Sequence, residues 1–166
     1  EAKETKDSKE KIKKKTLELI EKAIKKRMPS EKFGILFSGG IDSTIIAFLC
    51  KRLGCKFICY TAGIEEKGME KAKDLEQAER VAKELGFELK IKTINLDEAE
   101  QKIKKIIPIL DDANIMRVGV ALPLFIGCEM ARKNGIKTIF SGLGSEEIFA
   151  GYERHKKSQD INKECV

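Results

Sequence analysis

Long hydrophobic runs are missing from this chain of 166 residues. No stretch approaches the roughly 18 consecutive apolar residues that a membrane-crossing helix needs, so a membrane span is excluded. Nor does a charged-then-apolar leader with a small-residue cleavage site open the chain, and a cytoplasmic location is the expectation. The five cysteines, Cys50, Cys55, Cys59, Cys128 and Cys165, contain no CxxC pair. An odd count without a leader argues against a disulfide framework. The C-x4-C-x3-C spacing is not a standard metal-ligand spacing either. Cys50 and Cys59 fall in apolar runs where a thiol behaves as a small hydrophobe, and buried structural thiols are expected. Glutamine and asparagine are sparse beside abundant Glu, Lys and Ile, a bias that resembles hyperthermophile proteins and concerns the host rather than the activity.

Net charge is missing from most of the molecule. Lys and Arg exceed Asp and Glu by 33 to 27, a balance of +6, but residues 1–27 carry eleven basic against six acidic side chains. The body is therefore close to neutral and offers no electrostatic case for a nucleic-acid surface. The basic opening reads as a solvated lead-in to a helix. With 42% hydrophobic residues in compact runs such as ILFSGGIDSTIIAFLC, the chain has enough to build a core. The division expected is a basic lead-in over 1–16 and one domain over 17–166.

What is present is a repeated pattern: a helical stretch, a glycine, then a β-rich run. KRLG leads into CKFICYT, KELG into FELKIKTI and RKNG into IKTIFSG. Gly54, Gly86 and Gly135 stand where left-handed helix ends belong. With FGILFS, the strands expected are 33–38, 56–61, 88–94 and 137–141. The helices expected are 11–27, 42–53, 69–85, 97–107, 119–134 and a short one from 145, with Pro108 ending the fourth. Leu17, Ile20 and Ile24 give the first an apolar face. Continuous apolar strands separated by helices predict an α/β fold, an open parallel sheet covered on both faces. QDINKECV reads as a helix just begun, and the expectation is a fragment of a longer protein.

Two loops carry the chemistry. In FGILFS-GG-IDSTIIAFLC a buried strand meets two glycines and a helix opening with Asp42 and Ser43. Gly39 and Gly40 let the backbone approach a ligand, and the first helix amides form an anion cradle; without Gly-Lys-Ser/Thr it is not a Walker A loop. Asp42 is either a helix-capping residue or, beside a phosphate, the holder of a magnesium ion. The second loop, FSGLGSEEIFAGYERH, again runs strand, Gly-x-Gly, helix, with Glu146 near its start. A strand order of about 3-2-1-4 makes the two loops neighbours at the switch point of the sheet, where ligands of such sheets bind.

SGGIDS at 38–43 resembles the SGGxDS signature of the PP-loop, or N-type, ATP pyrophosphatases. From about Leu17 to Tyr152 the chain is similar to the synthetase domain of asparagine synthetases, whose second motif SGEG(A/S)DE(L/V)FGGY looks like SGLGSEEIFAGY here. YTAGIE at 60–65 looks like that family's second-strand exit, and Pro123 falls where a family proline precedes a helix. The resemblance implies that Ser38, Gly39, Gly40, Asp42 and Ser43 hold the pyrophosphate portion of ATP. It also implies that Asp42 and Glu146 bind Mg2+, and that Phe37, Ala62, Ser141 and Gly142 border the nucleotide. The activity implied is cleavage of ATP to AMP and pyrophosphate to adenylate an acceptor, followed by amide formation with ammonia or an amine.

The departures concern the acceptor. Leu143 stands where asparagine synthetases carry a substrate-handling Glu, and VGVAL at 118–122 replaces a polar set before the proline. A small-molecule acceptor other than aspartate is therefore expected. Ammonia would come from solution or from a separate glutaminase partner, and an oligomer remains open. Lys156 and Lys157 are candidates to neutralise charge on the α-phosphate, with Lys156 placed in the catalytic set. His155 reads as a surface residue. Two alternatives stand beside this reading: a PP-loop enzyme acting on an RNA base, and a nucleotide-binding module without catalysis, which Leu143 motivates.

Overall fold

A computed structural model describes residues 6–66, 68 and 72–158. Cys165, the QDINKECV ending and the expected helix start at 69–71 lie outside the described residues. The chain divides into two compact units, Pro29–Ser141 and the pair of segments Glu1–Met28 and Gly142–Val166. The chain opens with α1 (Lys9–Arg27), started by Ser8, whose hydroxyl accepts from the Lys11 amide at 3.3 Å. This helix crosses the point between residues 16 and 17 where the lead-in was set off from the domain.

The central unit alternates strand and helix: β1 (Phe33–Leu36), α2 (Ile41–Arg52), β2 (Phe57–Ile64), α3 (Lys73–Leu85), β3 (Leu89–Ile94), α4 (Leu96–Leu110), α5 (Ile115–Lys133) and β4 (Ile139–Phe140). All pairings are parallel and the order is β3-β2-β1-β4, as the sequence predicts. Gly54, Gly86 and Gly135 take left-handed φ values of 73°, 64° and 73° and let the chain turn from helix toward strand. Since β2 and β3 step outward from β1 and β4 returns to its other side, right-handed crossovers put α2 and α3 on one face and α4 and α5 on the other.

Alternation along β2 serves both layers. Ile58 and Tyr60 pack with Ala131 of α5, and Ala62 and Ile64 pack against Ile94, Ala99, Ile106, Leu122 and Ile126. On the opposite face Phe57 meets Phe87, and Gly63 lies beneath Leu75. The helix α5 comes so close to the sheet that a Cβ on Gly127 would stand 2.5 Å from Leu36 Cδ2. Cys50 and Cys59 are fully buried, as expected, whereas Cys55 is half-buried and Cys128 exposed. Within the C-x4-C-x3-C cluster the expectation of buried thiols therefore holds at Cys50 and Cys59 and only in part at Cys55.

Three helix expectations are corrected. Pro108 does not end α4, which runs on to Leu110 and stops where Asp111 takes φ 51°. A proline in the last turn removes one hydrogen bond, while Ile106 keeps that turn anchored in the core. The last of the central helices starts at Ile115, not 119, so Pro123 lies inside it and does not precede it. Its cap was concealed in DDANIMR: the Asn114 Oδ1 accepts from the Met116 and Arg117 amides at 3.0 and 3.3 Å, and Asp112 accepts from the Asn114 amide at 2.8 Å. The last strand is two residues long, against five expected, because only Ile139 and Phe140 find register with β1.

The second unit holds α1, α6 (Ser145–Ile148) and α7 (Glu153–Lys157). Gly144 at φ 92° leads into α6, and Ala150 at φ 56° leads out of it. His155 is 1% exposed rather than a surface residue. Its Nδ1 accepts from the Tyr152 amide at 3.3 Å and its ring lies 5.4 Å from that of Tyr152, so the turn from Gly151 into α7 folds the imidazole inward.

Candidate functional site

The first loop leaves the carboxyl end of β1. Phe37 is buried and donates its amide to the Tyr60 carbonyl at 2.8 Å, which holds the exit of β1 against β2. Ser38 and Gly40 are exposed while Gly39 is buried. Gly40 is the cap of α2, and the first helical hydrogen bond runs from the Thr44 amide to the Gly40 carbonyl at 3.0 Å. The amides of Ile41, Asp42 and Ser43 precede that bond, so they have no partner within the helix and face a ligand or water.

Serine hydroxyls stitch this cradle together. Ser43 is buried; its Oγ accepts from the Ser38 amide at 3.3 Å and donates toward the Gly40 carbonyl at 3.2 Å. Ser38 Oγ lies 3.3 Å from Ser43 Oγ and accepts from the Gly40 amide at 3.2 Å. Asp42 stands half-buried in the first turn of α2, and among the described residues its carboxylate takes no hydrogen bond or ion pair. It is not acting as a cap, since Gly40 occupies that place.

Neighbouring strands bring further predicted residues to the same edge. Leu36 is in register with Tyr60, so Ala62 lies level with Ser38 on β2. Ile35 is in register with Phe140, so Ser141 leaves β4 level with Leu36. Phe37, Ser38, Gly39, Gly40, Asp42, Ser43, Ala62 and Ser141 are thus gathered at the carboxyl ends of β1, β2 and β4. This is the switch point, where the chain passes from one side of β1 to the other.

Gly142, Leu143 and Glu146 belong to the other unit. There the Ser145 hydroxyl donates to the Gly142 carbonyl at 2.9 Å. The Glu146 carbonyl accepts from the Gly151 amide at 2.9 Å, and a Cβ on Gly151 would stand 2.9 Å from Glu146 Cγ. Leu143 is 67% exposed. The Tyr152 hydroxyl donates to Glu147 Oε1 at 2.6 Å, which holds the Glu147 carboxyl below its usual range and pushes Tyr152 up to about 12. The Arg154 guanidinium lies 4.6 Å over the Tyr152 ring. Tyr152 and Arg154 are sequence candidates to reach toward phosphate or substrate, or in the case of Tyr152 to pack in a helix; their joining with Glu147 is hinted at only by the i, i+5 spacing of an acid and a tyrosine. The backbone of Lys156 lies in α7, and its side chain falls outside the described residues.

Among the described residues no three His, Cys, Asp or Glu side chains cluster as a metal cage, and no helix is long and apolar enough to cross a membrane. The fold has relatives of known structure. An NH3-dependent NAD synthetase from Campylobacter jejuni superposes with a TM-score of 0.54 at 21% identity, covering 88% of this chain and 61% of that one. An NMN synthetase from Francisella tularensis gives a TM-score of 0.55 at 17% identity, covering 88% and 59%. In sequence, a putative glutamine-hydrolysing asparagine synthetase from Methanocaldococcus jannaschii is 37% identical over 142 residues, 82% of this chain and 25% of that protein. The chain spans about a quarter of the length of the curated relatives it matches. The asparagine synthase family model matches residues 15–165. With that match running over nearly the whole chain, and both glycine loops inside it, the chain belongs to the asparagine synthase family.

Proposed function

We propose that this chain is the nucleotide-handling part of an ATP-dependent amidating ligase. In this reading Ser38, Gly39, Gly40 and Ser43 receive the pyrophosphate end of ATP in the cradle at the head of α2. Phe37, Ala62, Ser141 and Gly142 border the nucleotide. Cleavage falls between the α- and β-phosphates: an acceptor carboxyl or amide oxygen bonds to the α-phosphorus and pyrophosphate leaves. Ammonia or an amine then bonds to the activated carbon, and AMP departs with the electron pair. Positioning and preorganised charge do the catalytic work, so no side-chain nucleophile is required.

The observation that carries the reading is the Asp42 carboxylate, which has no partner among the described residues yet opens a helix beside a ring of phosphate-ready amides. Left alone, that carboxylate would repel a polyphosphate. A divalent cation between them resolves the conflict, and the residues fit Mg2+, which binds through one or two carboxylates completed by phosphate oxygens. Glu146 is assigned the second carboxylate through its place in SGLGSEEIFAGY, and Lys156 the charge facing the α-phosphate. Mg2+ would supply charge neutralisation on the polyphosphate. Exposed, apolar Leu143 supports an acceptor other than aspartate, with ammonia from solution or from a separate glutaminase.

Incubation with Mg-ATP, ammonium and a pool of cellular metabolites tests this, with the nucleotide products identified. AMP and pyrophosphate are expected, and Asp42→Ala should lower their formation by at least about 100-fold, the scale of losing a preorganised electrostatic group. ADP and phosphate as products would overturn the proposed chemistry. Tight ATP binding without cleavage would favour the non-catalytic module.

A further inference from the structure

We propose that Gln77, in the middle of α3, is a positioning residue that locks the Gly39–Gly40 peptide with its N–H toward the ligand; this rests on the cradle being the nucleotide site. Gln77 lies 38 residues from Gly39 in sequence, yet its Nε2 donates to the Gly39 carbonyl at 3.2 Å. Gly39, buried at φ 72°, sits directly on the α3 backbone: a Cβ there would stand 2.8 Å from the Gln77 carbonyl carbon and oxygen and 2.9 Å from Ala78 Cα. The loop therefore rests on α3, and Gln77 is the side chain that reaches across to it.

The orientation of the Gln77 amide is set by its other neighbour. Arg80 Nη2 lies 2.7 Å from Gln77 Oε1, while Arg80 Nη1 donates to Glu84 Oε1 at 3.2 Å. A guanidinium only donates, so the amide oxygen must face Arg80 and the NH2 must face Gly39. Gln77 is thus held as a donor by a chain that begins at Glu84.

The need for such a lock follows from the loop itself. A peptide between two glycines can turn over at little cost, because both flanking residues accept either sign of φ. In a trans peptide the C=O and N–H point in opposite directions. With the Gly39 carbonyl held toward α3, the Gly40 amide points away, to the exposed side where Ser38 Oγ stands at 3.2 Å. A turned-over peptide would place a carbonyl oxygen where phosphate is to arrive. Within SGGIDS the exposed Ser38 hydroxyl holds the amide end of this peptide at 3.2 Å, and the hydrogen bond from α3 holds its carbonyl end.

Two variants test the lock. Gln77→Met keeps the length and cannot donate. Gln77→Glu keeps the shape and still accepts from Arg80, but faces the Gly39 carbonyl with an acceptor until it is protonated. In the ligand-free protein, Gln77→Met should broaden or double the Gly39 and Gly40 amide resonances and speed exchange of the Gly40 amide, with the unfolding midpoint little changed. Binding of Mg-ATP should weaken about 3- to 10-fold, the worth of one ordinary hydrogen bond, and the loss should appear in KM and not in kcat. For Gln77→Glu the loss should shrink as pH is lowered through the carboxyl range, while the Gln77→Met ratio stays constant. Unchanged Gly39 and Gly40 resonances in both variants would overturn the lock, whatever ATP does. Failure of the wild-type protein to bind Mg-ATP would instead overturn the nucleotide reading, and the amide resonances would still decide the lock.

Discussion

Gly39 is the residue on which the loop turns. It combines a left-handed backbone with an approach to α3 that leaves no room for a Cβ, since the nearest atoms are helix backbone and cannot swing aside. Gly39→Ala should therefore cost more than about 1–3 kcal/mol, the usual price of a strained conformation, and should abolish nucleotide binding before it unfolds the chain. Thermal unfolding beside a binding titration checks both halves. Gly40 lacks these constraints, and its Cβ would meet only Ser38 Oγ at 3.2 Å. Gly40→Ala should then stay folded, and the same two measurements would rank the pair. At this scale the motif residues were legible from SGGIDS alone, because strand, glycines and helix start are contiguous. Gln77 was not, since a partner 38 residues away leaves no local pattern. The burial of His155 has a local cause instead, the turn that precedes α7, which the charged run GYERHKK does not signal.

Helix boundaries show where local signals compete. In α5 the start comes four residues before the expected one because Asp112 and Asn114 build a cap that outweighs the irregular look of DDANIMR. Asn114→Ala should destabilise the protein by about 1 kcal/mol, as loss of a helix N-cap generally does, read as a lower denaturant midpoint at constant slope. Asp112 also accepts from Arg117 Nη1 at 2.8 Å, but that pair is exposed and adds little. Further along α4 and α5 the contacts are tertiary. Lys102 pairs with Glu129 and lies over Phe125, joining the two helices where Ile106 meets Leu122 and Ile126. Pro108 and Pro123 are both carried inside helices that such packing holds together.

For the whole molecule, the buried thiols tie stability to pH. Desolvation pushes Cys50 and Cys59 from 9.0 up to about 12, so the folded chain keeps these protons when the unfolded chain has lost them. A group whose folded pKa is raised contributes stability that is complete below its unfolded value and lost as pH rises through the folded one. The free energy of unfolding should accordingly fall as pH rises from about 9 toward 12. Denaturant titrations at successive pH values check this, and Cys59→Ala should flatten the slope even though the substitution itself costs stability.

The order of elements, the parallel sheet and the place of the first loop followed from the sequence by itself. Each is signalled by patterns that span a few residues: glycine after helix, apolar run after glycine, helix start after SGG. What only the tertiary structure decided are the features made by distant segments. These include the short pairing of β4 with β1, the docking of Gly39 on α3 and the hold of Gln77 on the Gly39 carbonyl. The physical reason is that backbone conformation is written locally, whereas burial and hydrogen-bond partners are assigned only when the sheet brings separate segments within a few ångströms.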